Sequence, residues 1–261
     1  MKTLVIDVGG TNIKFLATGQ QEAEKVPSGS KMTAEGMVQA VVGATQTWDY
    51  EVVSIGYPGP VVDGRPLREP HNLGQGWVDF DYQGQFGRPV RLLNDAAMQA
   101  LGSYQGGRML FLGLGTGLGS AMVIGKTVVP LELAHLPYRK GQTFEDYVGI
   151  RGLDRRGKKK WRRAVADVVT RLKAAMVADY VVLGGGNAKQ LRSLPLDTRL
   201  GDNRNAFLGG FRLWEEDLLI ASPSHPSYGA PSPSPSGQAE ENRGKHNGSR
   251  SKKQASRTGA R

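Results

Sequence analysis

The sequence predicts an α/β chain of two lobes, and three observations carry that prediction. Strand-like and helix-like patterns alternate along the chain, a glycine-rich turn joins two apolar segments near its start, and a second strand-glycine-strand unit follows the junction Gly106-Gly107.

Taken in order, Leu4-Val5-Ile6 and Ile13-Lys14-Phe15-Leu16-Ala17 flank Gly9-Gly10 with β-branched and aromatic residues, which predicts a hairpin. Met37, Val38, Val41 and Val42 recur at helical spacing and predict a helix over residues 33–48. Strands follow at Val52-Val53-Ser54-Ile55-Gly56 and Pro89-Val90-Arg91-Leu92-Leu93, then a helix over 95–104. Beyond the junction, Met109-Leu110-Phe111-Leu112 and Ser120-Ala121-Met122-Val123-Ile124 read as strands, 160–178 as a helix and Val181-Val182-Leu183 as a strand. Residues 1–106 are therefore assigned to an N-terminal lobe and 107–221 to a C-terminal lobe. Residues 222–261 are Ser, Pro, Gly and scattered charge, too poor in apolar groups to offset the entropy of ordering, and are predicted to be disordered.

Composition narrows the function classes. At 261 residues the chain is long enough to bury a core in each lobe. It has no cysteine, which excludes disulfides and thiolate zinc sites and fits a reducing compartment. The apolar segment ending at Asp7 is too short for a signal or a membrane span, so a soluble cytoplasmic protein with no membrane partner is expected. The formal charge is +10, and its location matters more than its sum. Three Lys and four Arg against Glu240 and Glu241 give the tail half of it. The run Arg155-Arg156-Gly157-Lys158-Lys159-Lys160-Trp161-Arg162-Arg163 holds seven basic residues in nine and falls inside the second lobe.

The chemistry is carried by turns. In Asp7-Val8-Gly9-Gly10-Thr11 two glycines let the backbone approach an anion, the Thr hydroxyl and amides can donate to it, and Asp7 at a strand end can hold Mg²⁺ through water. An ordinary hairpin turn would look the same. Gly113-Leu114-Gly115-Thr116-Gly117-Leu118-Gly119 repeats the arrangement between two further apolar strands. It opens a strand, where a dinucleotide fingerprint would open a helix, and Gly119 to Gly125-Lys126-Thr127 has one residue too many for a P-loop. Two phosphate turns facing each other across a cleft account for both.

Asn94-Asp95 joins a strand to a helix, where the helix N-terminus is expected to keep the Asp95 carboxylate ionised as a general base; a plain N-cap is the alternative. Glu132, His135 and Glu145 supply groups of the kind that bind several hydroxyls, and the turn at Gly59 and the loop residue Asn72 are expected to line the same pocket. Gly184-Gly185-Gly186-Asn187 follows a strand and would admit a phosphate chain close to the backbone.

Together these segments resemble the ROK sugar kinases of the actin-like and hexokinase superfamily, and among them the polyphosphate glucokinases, over about the first 215 residues. The resemblance implies a ribonuclease-H-like core in each lobe and a hexose in the cleft, phosphorylated at its terminal hydroxyl. It implies Asp95 as base, Asn94 as sugar ligand, and Asn12 and Lys14 beside the first phosphate turn. Glu132 and His135 fall on the family's E-L-G-H positions with Ala134 in place of Gly, and Glu145 on its later sugar-binding Glu. Leu136 to Phe144 lacks the cysteine-rich zinc loop of many relatives, so no zinc is expected.

For the donor, the basic run reads either as a solvated helix start or as a dock for an extended polyanion, which would relieve its self-repulsion and release counterions. Polyphosphate is such a polyanion, with Lys158, Lys159 and Lys160 in its path; ATP remains open, alone or in addition. Nucleic acid is disfavoured because stacking aromatics are sparse around the run. The expected reaction makes glucose 6-phosphate with Mg²⁺. The alternatives are an ATP-only kinase for another hexose such as mannose, or a sugar-binding regulator, whose kind carries a helix-turn-helix ahead of the first turn. A homodimer would follow the family habit.

Overall fold

The chain begins as a buried strand, β1 (Thr3–Val8), and returns as β2 (Asn12–Ala17), in which Ile13, Phe15 and Ala17 alternate inward. In this computed structural model residues 1–202 and 204–221 are described, and the predicted disorder of 222–261 lies outside them. β3 (Glu24–Pro27) completes an antiparallel meander, and α1 (Ala34–Ala44), capped by Thr33, lays Met37, Val38 and Val41 on the sheet. The next elements are β4 (Val52–Tyr57), the small hairpin β5 (Val61–Val62) and β6 (Arg65–Pro66), α2 (Tyr82–Phe86), β7 (Val90–Asn94) and α3 (Asp95–Ser103).

The second half opens with another meander, β8 (Arg108–Leu114), β9 (Leu118–Ile124) and β10 (Thr127–Leu131). The small hairpin β11 (Pro137–Arg139) and β12 (Gln142–Thr143) leads to α4 (Phe144–Val148), α5 (Ile150–Ala175) and β13 (Tyr180–Gly184). β14 (Thr198–Leu200), α6 (Asn205–Arg212) and β15 (Leu219–Ile220) close the described chain. Among the described residues no helix is long and apolar enough to cross a membrane.

Two sheets result, in the orders β3-β2-β1-β4-β7 and β14-β13-β8-β9-β10-β15. Each is an antiparallel meander extended on one side by two parallel strands, β4 and β7 in the first and β13 and β14 in the second. The repeat foreseen in the sequence is therefore real at the level of topology. It is not a repeat of chemistry: one pair in from each glycine turn, the first hairpin sets Asp7 opposite Lys14 and the second sets Gly113 opposite Gly119.

Separate apolar cores lie under α1 and under α5. A third joins the sheets, bringing Val5 and Leu93 together with Phe111, Val182, Phe207 and the apolar side of α3. Its centre is the crossing of α3 and α6, where Gly102 and Gly209 let the backbones touch: a Cβ on Gly209 would lie 1.8 Å from the Met98 carbonyl oxygen.

Two predicted helices change bounds. The first stops at Ala44, where Thr45 turns its amide and hydroxyl back to the Val41 carbonyl. The one predicted over 160–178 begins at Ile150, breaks at Gly157 (φ 71°, ψ 158°) and ends at Ala175, ahead of the left-handed Val177. Trp161 anchors it, fully buried and donating its indole N–H to the Val148 carbonyl at 2.8 Å.

Candidate active site

Each glycine turn is closed by a backbone bond across its tip, the first one residue wider than the second. Gly9 donates its amide to the Asn12 carbonyl at 3.1 Å, and Gly115 to the Gly117 carbonyl at 3.2 Å. In each, two tip amides, of Gly10 and Thr11 and of Thr116 and Gly117, donate to no acceptor among the described residues. Thr11 and Thr116 stand exposed at the tips. Successive free amides beside a hydroxyl form a concave donor set that suits phosphate oxygens. Ser28 braces the first turn, its hydroxyl donating to Gly9 O at 2.6 Å and its amide to Thr11 O at 2.9 Å. Asn187 braces the second through Nδ2 to Gly115 O at 2.9 Å, and the Ile150 amide reaches Gly115 and Thr116 O at 3.2 Å.

Between the turns lies the start of α3. Asn94 caps it, accepting the Ala97 amide at 3.1 Å while its Nδ2 donates to Gly59 O at 3.0 Å. Since the cap is Asn94, Asp95 is relieved of that duty; its Oδ1 accepts the Ala96 amide at 2.7 Å. The second N–H of Asn94 donates to no acceptor among the described residues. Gly119 permits the second hairpin to sit on this helix start, because a Cβ there would come 2.7 Å from that of Ala96.

The expectation that the helix terminus keeps Asp95 ionised is overturned. Crowding by protein, and next the charge of Asp7, raise its carboxyl to about 7, while the Ala96 amide opposes the rise only in part. Burial also raises Asp7, with Lys14 opposing. The Asp7 carboxylate accepts no hydrogen bond among the described residues, while its backbone belongs to the β1 ladder. A divalent cation there would relieve the repulsion between Asp7 and Asp95, so the donor set fits Mg²⁺ held through water.

The sugar candidates divide. Glu132 and His135 approach to 3.9 Å across the short turn Leu133–His135, both exposed at the cleft. Burial raises the Glu132 carboxyl, His135 and Arg68 lower it, and Glu145 raises it further. Ala134 fits this turn without a positive φ, so the missing family glycine costs nothing. Glu145, on α4, accepts the Leu118 amide at 3.3 Å and pairs with Arg151 at 3.3 Å, which ties it to the second turn. Asn72 sits against Gly10, whose Cβ would lie 3.3 Å from that of Asn72, and so borders the first phosphate turn.

Two residues of this region escaped the sequence reading. Arg68 acts on Glu132 as above, and Glu69 receives the amides of Trp77 at 3.1 and 3.2 Å and of Val78 at 3.2 Å, folding the loop that presents Asn72. Glu69→Ala should cost about 1–3 kcal/mol of stability, as thermal unfolding would record.

Past β13, which Gly184 ends, Gly185 turns with φ 80° and Gly186–Gln190 forms a short 3₁₀ turn. Arg162 Nε donates to Gln190 O at 2.6 Å, joining the basic helix to this turn. Lys158, Lys159 and Lys160 are exposed, and none of the ion pairs among the described residues involves them.

Comparison with known proteins bears on the fold. Residues 3–130 match the ROK family. The polyphosphate glucokinase of Mycobacterium tuberculosis is 27% identical over 210 residues, 71% of this chain and 77% of that protein. The structure of inorganic polyphosphate/ATP-glucomannokinase from Arthrobacter sp. strain KM superposes with a TM-score of 0.67 at 24% identity, covering 80% of this chain and 96% of that one. A ROK family glucokinase from Streptomyces griseus, in complex with glucose and AMPPNP, gives a TM-score of 0.67 at 20% identity over 82% and 99%. Residues 3–130 are thus similar to the ROK family, and the described residues share the actin-like fold of the ROK kinases.

Proposed function

We propose that this protein is a hexokinase-type phosphotransferase that makes glucose 6-phosphate from glucose, with inorganic polyphosphate, ATP or both as donor. The observation that carries the reading is the placement of one carboxyl, Asp95, raised to about 7, at a helix start bordered by two turns with free amides. Relatives that are polyphosphate glucokinases support the choice of sugar and donor.

In the proposed reaction the terminal hydroxyl of the hexose gives its proton to Asp95 as its oxygen attacks the terminal phosphorus of the donor. The new bond joins sugar oxygen to phosphorus, and the bond to the remaining phosphate chain breaks in line with it. Amides of Gly10, Thr11, Thr116 and Gly117, with Lys14, offset the charge on the phosphate oxygens. Mg²⁺ held near Asp7 would neutralise donor charge. Asn94, Glu132, His135 and Glu145 fix the other hydroxyls, and Gly184, Gly185, Gly186 and Asn187 receive the rest of the donor. We read 1–106 and 107–221 as the two lobes that carry these halves.

Purified protein offered Mg²⁺ and glucose or mannose, with either polyphosphate or ATP, should form the 6-phosphate of glucose with at least one donor. Failure with both donors and both sugars would sink the reading. Replacing Lys158, Lys159 and Lys160 by Ala should raise the KM for polyphosphate about tenfold and flatten its salt dependence, with a smaller change for ATP.

A further inference from the structure

Where the basic run folds, two of its guanidiniums share one neutral oxygen. The side-chain carbonyl of Gln142 accepts from Arg155 Nη2 at 3.4 Å and from Arg156 Nη2 at 3.1 Å. A neutral oxygen thus holds two guanidiniums. Arg155 also donates to the Asp146 carbonyl at 2.8 Å and its charge helps lower the Asp146 carboxyl, whereas Arg156 and Lys160 have no such carboxylate among the described residues. The break at Gly157 returns the chain so that Lys160 joins these residues around a cavity of about 330 Å³. None of the ion pairs among the described residues involves Arg155, Arg156 or Lys160.

Arg156 is the most constrained of the three. Its guanidinium lies over the Tyr147 ring, 3.5 Å from the centroid, and its Nε is buried with no acceptor among the described residues. A buried, unpaired guanidinium N–H beside two further cations is a donor set that an oxyanion completes.

We propose that this notch anchors one phosphate unit of an inorganic polyphosphate chain, away from the glycine turns where transfer occurs. The proposal deepens the donor reading above and rests on it for the identity of the chain; the demand for an oxyanion rests on the notch alone. Contacts lead inward from it: Arg162 to Gln190, then Asn187 to Gly115 on the second turn. A polyanion without bases fits better than a nucleic acid, because the neighbouring rings cannot stack. Trp161 is fully buried, Tyr147 is 6% exposed, and Arg156 already covers the Tyr147 face.

The test is calorimetric titration of sodium tripolyphosphate into the full chain without sugar. Arg155→Gln with Arg156→Gln should weaken binding about tenfold or more. Because loss of Arg156 disturbs the packing on Tyr147, Arg155→Gln with Lys160→Gln serves as a second variant that leaves that contact in place and should show the same loss. Lys25→Gln with Lys31→Gln removes equal charge from exposed positions elsewhere and should leave affinity near native. The proposal is overturned if all three variants weaken binding alike, if orthophosphate binds as tightly as tripolyphosphate, or if oligouridylate competes equally well. Native protein that phosphorylates glucose with ATP but shows no titration loses only the notch. Notch-dependent binding in a protein that phosphorylates no sugar loses only the kinase reading.

Discussion

Asp95→Asn is expected to lower turnover by about 10²–10⁴-fold, the range for loss of a positioned base, while sugar affinity stays within a few-fold of native. Asn keeps the shape and the oxygen that accepts the Ala96 amide, and loses only the ability to take a proton. In the native enzyme kcat/KM should fall about tenfold per pH unit below about 7, as Asp95 becomes protonated. An acid limb near pH 4 would show that Asp95 is not raised in solution, and an active Asn variant would remove it from the role of base.

The same substitution carries a stability signature of opposite sense. The Asp95 carboxyl is raised from its ordinary 3.8 to about 7, so between those values the folded chain keeps a proton that the unfolded chain has released. Stability is complete below about pH 4, falls as pH rises through that window and levels off above 7. The Asn variant is spared this loss. It should be more stable than native at pH 8 by on the order of 4 kcal/mol, unfolding at higher temperature, and the difference should shrink toward pH 5. Thermal melts at the two pH values decide the point, and a variant less stable than native at pH 8 would contradict it.

The second large effect is expected at the crossing of α3 and α6. Gly209→Ala drives a methyl group into the Met98 carbonyl, and a Cβ on Gly102 would lie 1.9 Å from Asn205 O. These obstacles are backbone atoms that no rotamer change can clear, so Gly209→Ala should cost about 3 kcal/mol or more. Activity should fall along with the fold, since α3 carries Asp95. Gly43→Ala is the internal control: this exposed glycine in α1 has nothing within 4 Å of the added carbon and should gain up to about 1 kcal/mol of helix propensity. Denaturant midpoints for the two variants should move in opposite directions.

What was legible in the sequence was local. The hairpins β1-β2 and β8-β9 announce themselves through apolar runs around glycine, and the register around each turn follows from them. The start of α3 was visible because a strand pattern changes period at Asn94. What was hidden depends on distant partners. β3 is four mostly exposed residues that acquire strand geometry only by pairing with β2, and α6 contains two glycines that weaken its helical signal and find their purpose against Met98 and Val5, more than a hundred residues away in sequence. The proton affinity of Asp95 was read with the wrong sign for the same reason. The helix terminus is local and was seen, whereas the surrounding protein and Asp7 arrive through the fold. Arg68 and Glu69 belong to no recognisable spacing, and their roles come from Glu132 and the Trp77 loop.

The side-chain-free crossing of α3 and α6 also has a mechanical meaning. Two backbones in direct contact can swivel about their meeting point more readily than they can slide, because any translation drives carbonyl into carbonyl. A swing of one sheet against the other would therefore use Gly102 and Gly209 as its pin. Asp95 lies seven residues from that pin, about 10 Å along the helix, while the tips at Thr11 and Thr116 are carried on the sheets themselves. In such a swing the first turn would move relative to Asp95, while the second, seated on Ala96 through Gly119, would stay with it.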